Sequence, residues 1–369
     1  MTTIIIGAGA SGLAAAISLK QQLPCEKVII LERLSSPGKK ILATGNGRCN
    51  LTNKYAEHYT QTKAFFESIG LVLCEEEQGR IYPYSLKAET VLEILLNACN
   101  NLNIEIITDC EVTEIKSNLT VHSSKGIFKA DSIIASAGGM AQKNLGSNGS
   151  GYALLKKLGH TVTDLSPALV QLTSSSKYPR SIKGTRTRCS IAIELNGVIA
   201  AEESGEILFT DYGISGIAAM NLSYIVGQNF AKKAPEKCIA VLDLVPEMSE
   251  KQLIEHIETF GSLCGVLGSK LSDIISKQAD ADAEKAAKFA KNWRLIITGT
   301  KGFDFAQITC GGIPLCEISE FESNYIKNLY ICGELLDKQF ECGGFNLDFA
   351  WHSGITAAKR ITEKRNDKN

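Results

Sequence analysis

The chain has 369 residues, 39 basic and 40 acidic side chains, and a formal net charge of −1. That balance gives no electrostatic reason to expect nucleic acid or an anionic membrane as partner, and the length suffices for two or three domains. No apolar stretch reaches the roughly 20 residues of a membrane-crossing helix, and the opening apolar run lacks a basic leader, so a cytoplasmic protein is expected.

Ile4–Ile6 run directly into Gly7-Ala8-Gly9-Ala10-Ser11-Gly12, followed by an apolar helix-like segment, Val28–Leu31, and Glu32. The order strand, glycine turn, helix, strand, acid is that of a dinucleotide site. Gly7 allows the turn, Gly9 lets backbone approach a pyrophosphate, and Gly12 lets the helix lie close to the sheet. The helix N-terminus offers free N–H groups to the anion, and Glu32 is placed to accept a hydrogen bond from a ribose hydroxyl.

Residues 36–53 form a Gly/Asn-rich loop in which Lys39, Lys40 and Arg48 can supply charge. Helical spacing predicts a helix over 62–78, an extended piece over 79–84, and a helix over 86–101. Short strands are expected at 104–107, 110–115, 119–123 and 126–130, and a buried strand ends at Gly138-Gly139. Periodicity shortens to two between 163 and 245, then turns helical from Ser249 to about Ile297, with a capping arrangement at Ser249–Gln252. Further strands end at Gly311-Gly312 and at Gly333-Glu334, and a last helix is expected from Phe349 to Ile361. The reading is α/β. A Rossmann-like domain comprises 1–162 plus 304–369, a β-barrel-like domain is inserted at 163–247, and a small helical domain occupies 248–303. Twelve cysteines are scattered without a CxxC pair, so no metal site is expected and the thiols are taken as reduced.

The chain resembles the FAD-dependent flavoproteins of the aminoacetone oxidase-like and 3-dehydro-bile acid delta(4,6)-reductase family. The resemblance rests on Gly7–Gly12, Thr44-Gly-Asn-Gly-Arg-Cys-Asn-Leu-Thr-Asn53, Gly79-Arg80-Ile81-Tyr82-Pro83, Gly146–Tyr152, Leu208–Gly216, Thr309–Ile313, Gly333-Glu-Leu-Leu-Asp337 and Cys342-Gly-Gly-Phe-Asn-Leu347. It implies FAD as the tightly held cofactor. Gly7, Gly9, Ala10, Ser11 and Gly12 would meet the pyrophosphate, and Glu32, with Arg33, the adenosine ribose end. Lys40, Gly45, Gly47, Arg48, Cys49 and Asn50 would line the phosphates and the inner ribityl region. Val112 holds the place where a backbone amide pairs with adenine, with Gly138 beside it. Gly333, Glu334 and Asp337 would hold the second side of the pyrophosphate. Gly343, Gly344, Phe345, Asn346 and Leu347 would meet the flavin ring. Asp211, Ile217 and Met140 depart from the residues common in the family at those places.

No second GxGxxG unit occurs, so NAD(P)H is expected only as a transient donor. The leading expectation is reduction of an α,β-unsaturated ketone, with a small molecule as the partner and an acid among Tyr82, Tyr84, Tyr212 and His352. Arg80 and Lys301 are candidates for a substrate carboxylate. The alternatives are an amine oxidase that makes hydrogen peroxide and a flavin-binding factor without turnover.

Overall fold

The strands of the first unit are apolar on both sides, which is the pattern of a parallel sheet covered on both faces. The computed structural model describes residues 1–367. It divides into two units, Met1–Leu165 with Ile308–Asn369, and Ser166–Gln307.

In the first unit a seven-stranded sheet runs in the order Ile318–Ser319, Glu322–Ser323, Leu329–Ile331, Ser132–Ala135, Thr2–Ile6, Lys27–Leu31, Glu105–Ile107. The last five are mutually parallel, with Ile4 opposite both Ile133 and Ile29. The two-residue period then sorts side chains between two cores. Ile5, Val28, Ile30, Ile134 and Tyr330 join the helices on one face. Ile4, Ile6, Ile29, Leu31, Ile133 and Ile331 join Val112, Ile115 and Val121 of a small antiparallel sheet on the other. Each fully buried isoleucine contributes about 1.5–3 kcal/mol.

The helix Ala10–Gln22 packs against the last helix so closely that a Cβ on Gly354 would lie 2.1 Å from the Ser11 carbonyl oxygen. That last helix spans Phe345–Asn366, longer at both ends than the apolar spacing suggests. Its polar first turn is internal: Asp348 is buried and accepts hydrogen bonds from the hydroxyls of Thr52 (2.6 Å) and Thr62 (2.7 Å). The helix expected over 62–78 is Tyr59–Ser68 only. Gly70, at φ +89°, turns the chain, and Leu73–Glu76 is a strand paired with Arg80–Pro83. At the sheet's edge a buried trio ties down the hairpin, with His160 Nδ1 2.8 Å from Glu317 and Nε2 2.8 Å from Ser323 Oγ.

The second unit is a closed six-stranded barrel in the order Leu172–Ser174, Gly213–Ser215, Val198–Phe209, Arg186–Leu195, Cys238–Asp243, Trp293–Thr300. The expected helical stretch to Ile297 therefore stops earlier. In Trp293–Thr300, Trp293, Leu295 and Ile297 are buried while Arg294, Ile296 and Thr298 face outward, a strand's alternation. The three helices Glu250–Phe260, Ser269–Gln278 and Ala283–Lys291 share the barrel's core, since Leu253, Leu271, Ile275 and Ala287 pack in one cluster with Ile191, Phe209 and Trp293. Ser249 and Gln252 form the expected capping box, worth about 1 kcal/mol. Among the described residues, no helix is long and apolar enough to cross a membrane.

Candidate functional site

Three glycines of the first turn differ in what requires them. A Cβ on Gly7, at φ +100°, would fall 2.6 Å from the Ser136 carbonyl oxygen, and one on Gly12 would fall 2.0 Å from the Gly7 carbonyl oxygen. Protein packing alone demands these two. Gly9 has φ −88° and ψ −167°, open to any residue, and its Cβ would meet nothing within 4 Å. The cradle beside Gly9 is therefore room for something other than this chain. It faces the N-terminus of Ala10–Gln22, which has no side-chain cap and no acidic residue in its first turn. A pyrophosphate fits that space and those N–H groups.

Glu32 follows the strand Lys27–Leu31 and is 8% exposed. Its carboxylate accepts the N–H of Ala8 (2.8 Å) and of Leu34 (2.8 Å), which fixes its position at the rim of the turn. Each oxygen keeps a lone pair for a ribose hydroxyl. Arg33 donates to the Gly146 carbonyl (3.2 Å). Val112 opens a strand of the small antiparallel sheet, and Gly138 follows the main-sheet strand Ser132–Ala135.

Two of the three cations of the Gly/Asn-rich loop, Lys40 and Arg48, already have partners. Lys40 Nζ lies 2.7 Å from Glu334, and Arg48 lies 3.0 Å from Glu76 while its guanidinium covers the Tyr82 ring at 4.5 Å. Of the loop cations, Lys39 alone has no carboxylate placed beside it among the ion pairs of the described residues, so the loop carries less free charge than its composition suggests. Glu334 also accepts from Thr309 N (2.8 Å), and Tyr152 donates to the Glu334 carbonyl (2.9 Å). Asp337 accepts from the Thr163 hydroxyl (2.9 Å). Thr309 opens one quoted motif and Tyr152 closes another, yet the sequence gives neither a role, because their bonds to Glu334 join distant stretches of the chain.

In the loop itself Gly45 has φ +56° and a Cβ there would meet Asn50 N at 2.8 Å, while Gly47 has φ +82°. Cys49 is fully buried and burial pushes its thiol up to about 12, which a Thr44 hydrogen bond only partly offsets. Asn50 is the most telling residue. It is 9% exposed, and its side-chain oxygen is buried with no hydrogen-bond partner. Such an atom costs about 1–3 kcal/mol if left so. It lies against Gly344, where a Cβ would fall 2.9 Å from it. An N–H at the edge of a flavin ring fits this acceptor. Gly343 and Gly344, at φ +138° and +102°, lead into the helix that starts at Phe345. Asn346 is held by the preceding loop, donating to the Phe340 carbonyl (2.9 Å) and accepting from Phe340 N (3.0 Å), and Leu347 packs in the core cluster.

The four acid candidates differ in their local settings. Tyr82 is 4% exposed, 3.4 Å from Arg48 Nη2, and edges Gly45. Tyr84 is 74% exposed. Tyr212 belongs to the barrel unit, where Lys301 lies between its ring (4.6 Å) and that of Phe305 (4.3 Å). His352 stacks on His58 with ring centroids 3.4 Å apart, and burial, with the charge on His58, lowers it to about 4. It is neutral at pH 7 and lies two turns into its helix. Arg80 sits on the strand Arg80–Pro83 and bears on Cys342, whose thiol is raised to about 12 by burial, with Arg80 opposing the rise.

Comparison with known proteins gives four findings. Residues 1–63 and 56–360 match the family described as HI0933-like protein Rossmann domain. The chain is 35% identical to a 3-dehydro-bile acid delta(4,6)-reductase of Clostridium scindens, with 98% of each covered. It is 26% identical to a ribosomal RNA dihydrouridine synthase of Haemophilus influenzae, again with 98% of each covered. Among solved structures, the 3-ketosteroid delta1-dehydrogenase of Sterolibacterium denitrificans matches with a TM-score of 0.56 at 10% identity, covering 98% of this chain and 100% of that one. At that identity the likeness is one of fold.

Proposed function

The chain belongs to the HI0933-like Rossmann-domain family and is an FAD-dependent oxidoreductase, and from that premise we propose that it reduces a carbon–carbon double bond conjugated to a carbonyl in a small enone. FAD, when bound, supplies hydride chemistry for such a bond. The protein's part is to hold the cofactor between the Gly9 cradle and the Asn50 acceptor, and to deliver a proton to the α-carbon. Tyr82 is the best placed of the candidates: it is buried, beside the Gly45 turn, and a guanidinium donating to its oxygen leaves its own proton to be given away. NAD(P)H is the proposed transient donor. The observation that carries the reading is the orphaned Asn50 oxygen facing Gly344, joined to full-length likeness to an enone reductase.

A second reading keeps the chemistry and changes the substrate. Uracil also has a double bond conjugated to a carbonyl, and a full-length relative is named for its reduction in ribosomal RNA. One local feature favours it. Between Asp164 and Glu194 there is no acidic residue, while Lys177, Arg180, Lys183, Arg186 and Arg188 are all exposed. Lys183 and Arg186 pair with Asp211 and Glu206, which reduces the local charge.

Anaerobic reduction by NADH and NADPH, followed at the flavin absorbance band, tests both readings. Bleaching by a pyridine nucleotide and recovery on adding a 3-keto-4-ene steroid supports the first. Recovery with unmodified ribosomal RNA alone moves the assignment to the second. Bleaching only by small amines, with peroxide on admitting air, overturns both in favour of an oxidase.

A further inference from the structure

We infer that Tyr55 is a substrate-stacking residue, presenting its ring to a planar conjugated substrate at the flavin end of the site. The inference rests on the reading above, and it concerns a residue outside every motif role assigned so far.

Tyr55 is 75% exposed. A single exposed ring is ordinary on a protein surface; this one differs in how its turn is fastened. The ring does not swing free. Its backbone N–H donates to Asn53 Oδ1 at 3.0 Å. Asn53 is itself 3% exposed and its Nδ2 donates to the carbonyls of Gly343 (3.0 Å) and Gln78 (3.1 Å). Lys54 N donates to the Gly79 carbonyl (2.7 Å) on the neighbouring strand end. The turn that carries Tyr55 is thus fastened directly to the glycine pair that precedes the last helix, where the flavin ring is placed above.

The ring also has a made seat. A Cβ on Gly79 would lie 2.8 Å from Tyr55 Cε2 and 3.0 Å from Cδ2, and Gly79 has φ +71°. Only glycine lets the ring edge rest on this backbone. The motif Gly79-Arg80-Ile81-Tyr82-Pro83 therefore gains a purpose for its first residue, which no cofactor contact required. Arg80, the next residue, acts on the Cys342 thiol through its charge, opposing the rise that burial causes. An exposed ring with one edge seated on backbone and its position tied to the cofactor end is a stacking platform. The O=C–C=C unit of an enone steroid and the ring of a pyrimidine are planar and conjugated, and such flat faces stack on tyrosine.

The test titrates FAD-loaded wild-type, Tyr55→Ala and Tyr55→Phe proteins with whichever probe the wild type reduces, a 3-keto-4-ene steroid or ribosomal RNA. Binding is read from the perturbed flavin spectrum, and turnover is read beside it. Tyr55→Ala is expected to weaken binding and raise KM about ten-fold. Its kcat, FAD occupancy and melting temperature should match the wild type. Tyr55→Phe keeps the ring and should bind within about two-fold of wild type. Wild-type binding by Tyr55→Ala overturns the inference and leaves the proposed reaction standing. Equal loss in both variants also overturns it, because the hydroxyl and not the ring would then be responsible. A wild-type protein that binds and reduces neither probe overturns the proposed reaction and this inference together.

Discussion

The two ends of the parallel sheet treat buried polar groups in opposite ways. At the amino end they satisfy one another. Glu26, 5% exposed, accepts from the Thr3 hydroxyl (2.8 Å) and from Arg365 Nη2 (3.3 Å), and the same guanidinium nitrogen reaches Ser132 Oγ (3.1 Å). Arg365 Nε and the hydroxyl of Tyr330, which feels the Arg365 charge, lack a hydrogen-bond partner. At the carboxyl end the groups wait for something else. The first helix is uncapped, the space beside Gly9 is clear of protein atoms, and the Asn50 oxygen is buried without a donor. One end closes the fold, and the other is the end we assign to the cofactor, following the rule that ligands bind outside the carboxyl ends of strands in an open α/β sheet.

If that contrast is right, substitutions at the two ends should separate stability from cofactor binding. The largest effect is expected at the closed end. Glu26→Ala leaves Arg365 buried without its partner and should cost about 3–5 kcal/mol in urea unfolding. FAD affinity of the folded fraction should stay unchanged. A loss of affinity with wild-type stability would place Glu26 in the site and erase the contrast.

A smaller effect comes from the stacked histidines. His352 is depressed to about 4 by burial and by the charge on His58. The unfolded chain takes up that proton near pH 6.5, the folded chain only near 4, so stability falls as pH drops through this window and levels off below it. The loss is about 1–2 kcal/mol once partial exposure is allowed for. His352→Gln should flatten the fall in unfolding free energy between pH 7 and 4.5. The same fall in wild type and variant would show that the pair does not govern acid sensitivity.

Much of the open end is legible in the sequence because it is local. Gly7, Gly9, Gly12 and Glu32 sit within one strand–helix–strand unit, and their spacing follows from its geometry. The small antiparallel sheet is also legible as short strands, and the barrel only as a β-rich stretch of period two. What was hidden depends on pairing across long stretches of chain. Lys40 and Arg48 read as free charge until Glu334 and Glu76 come beside them. Asp348 reads as a surface residue ahead of a helix. It is interior because Thr52 and Thr62 bring hydroxyls from the other end of the chain. Trp293–Thr300 reads as more helix because Ala283–Lys291 precedes it directly, and only the closing of the barrel makes it a strand. Gly9 and Gly12 look alike as letters. The structure shows that packing requires glycine at position 12 and leaves position 9 open, where we place the cofactor.

That distinction offers the most direct measurement: FAD titration of apoprotein, with thermal unfolding of the same samples, for wild type, Gly9→Ala and Gly12→Ala. Gly12→Ala, with its Cβ 2.0 Å from the Gly7 carbonyl oxygen, should lose apoprotein stability. Gly9→Ala should unfold as the wild-type apoprotein does, yet bind FAD at least about ten-fold more weakly, a change of about 1.4 kcal/mol. A Gly9→Ala protein that binds FAD as tightly as wild type, or one whose apoprotein is itself destabilised, would contradict the assignment of this end of the sheet to the cofactor.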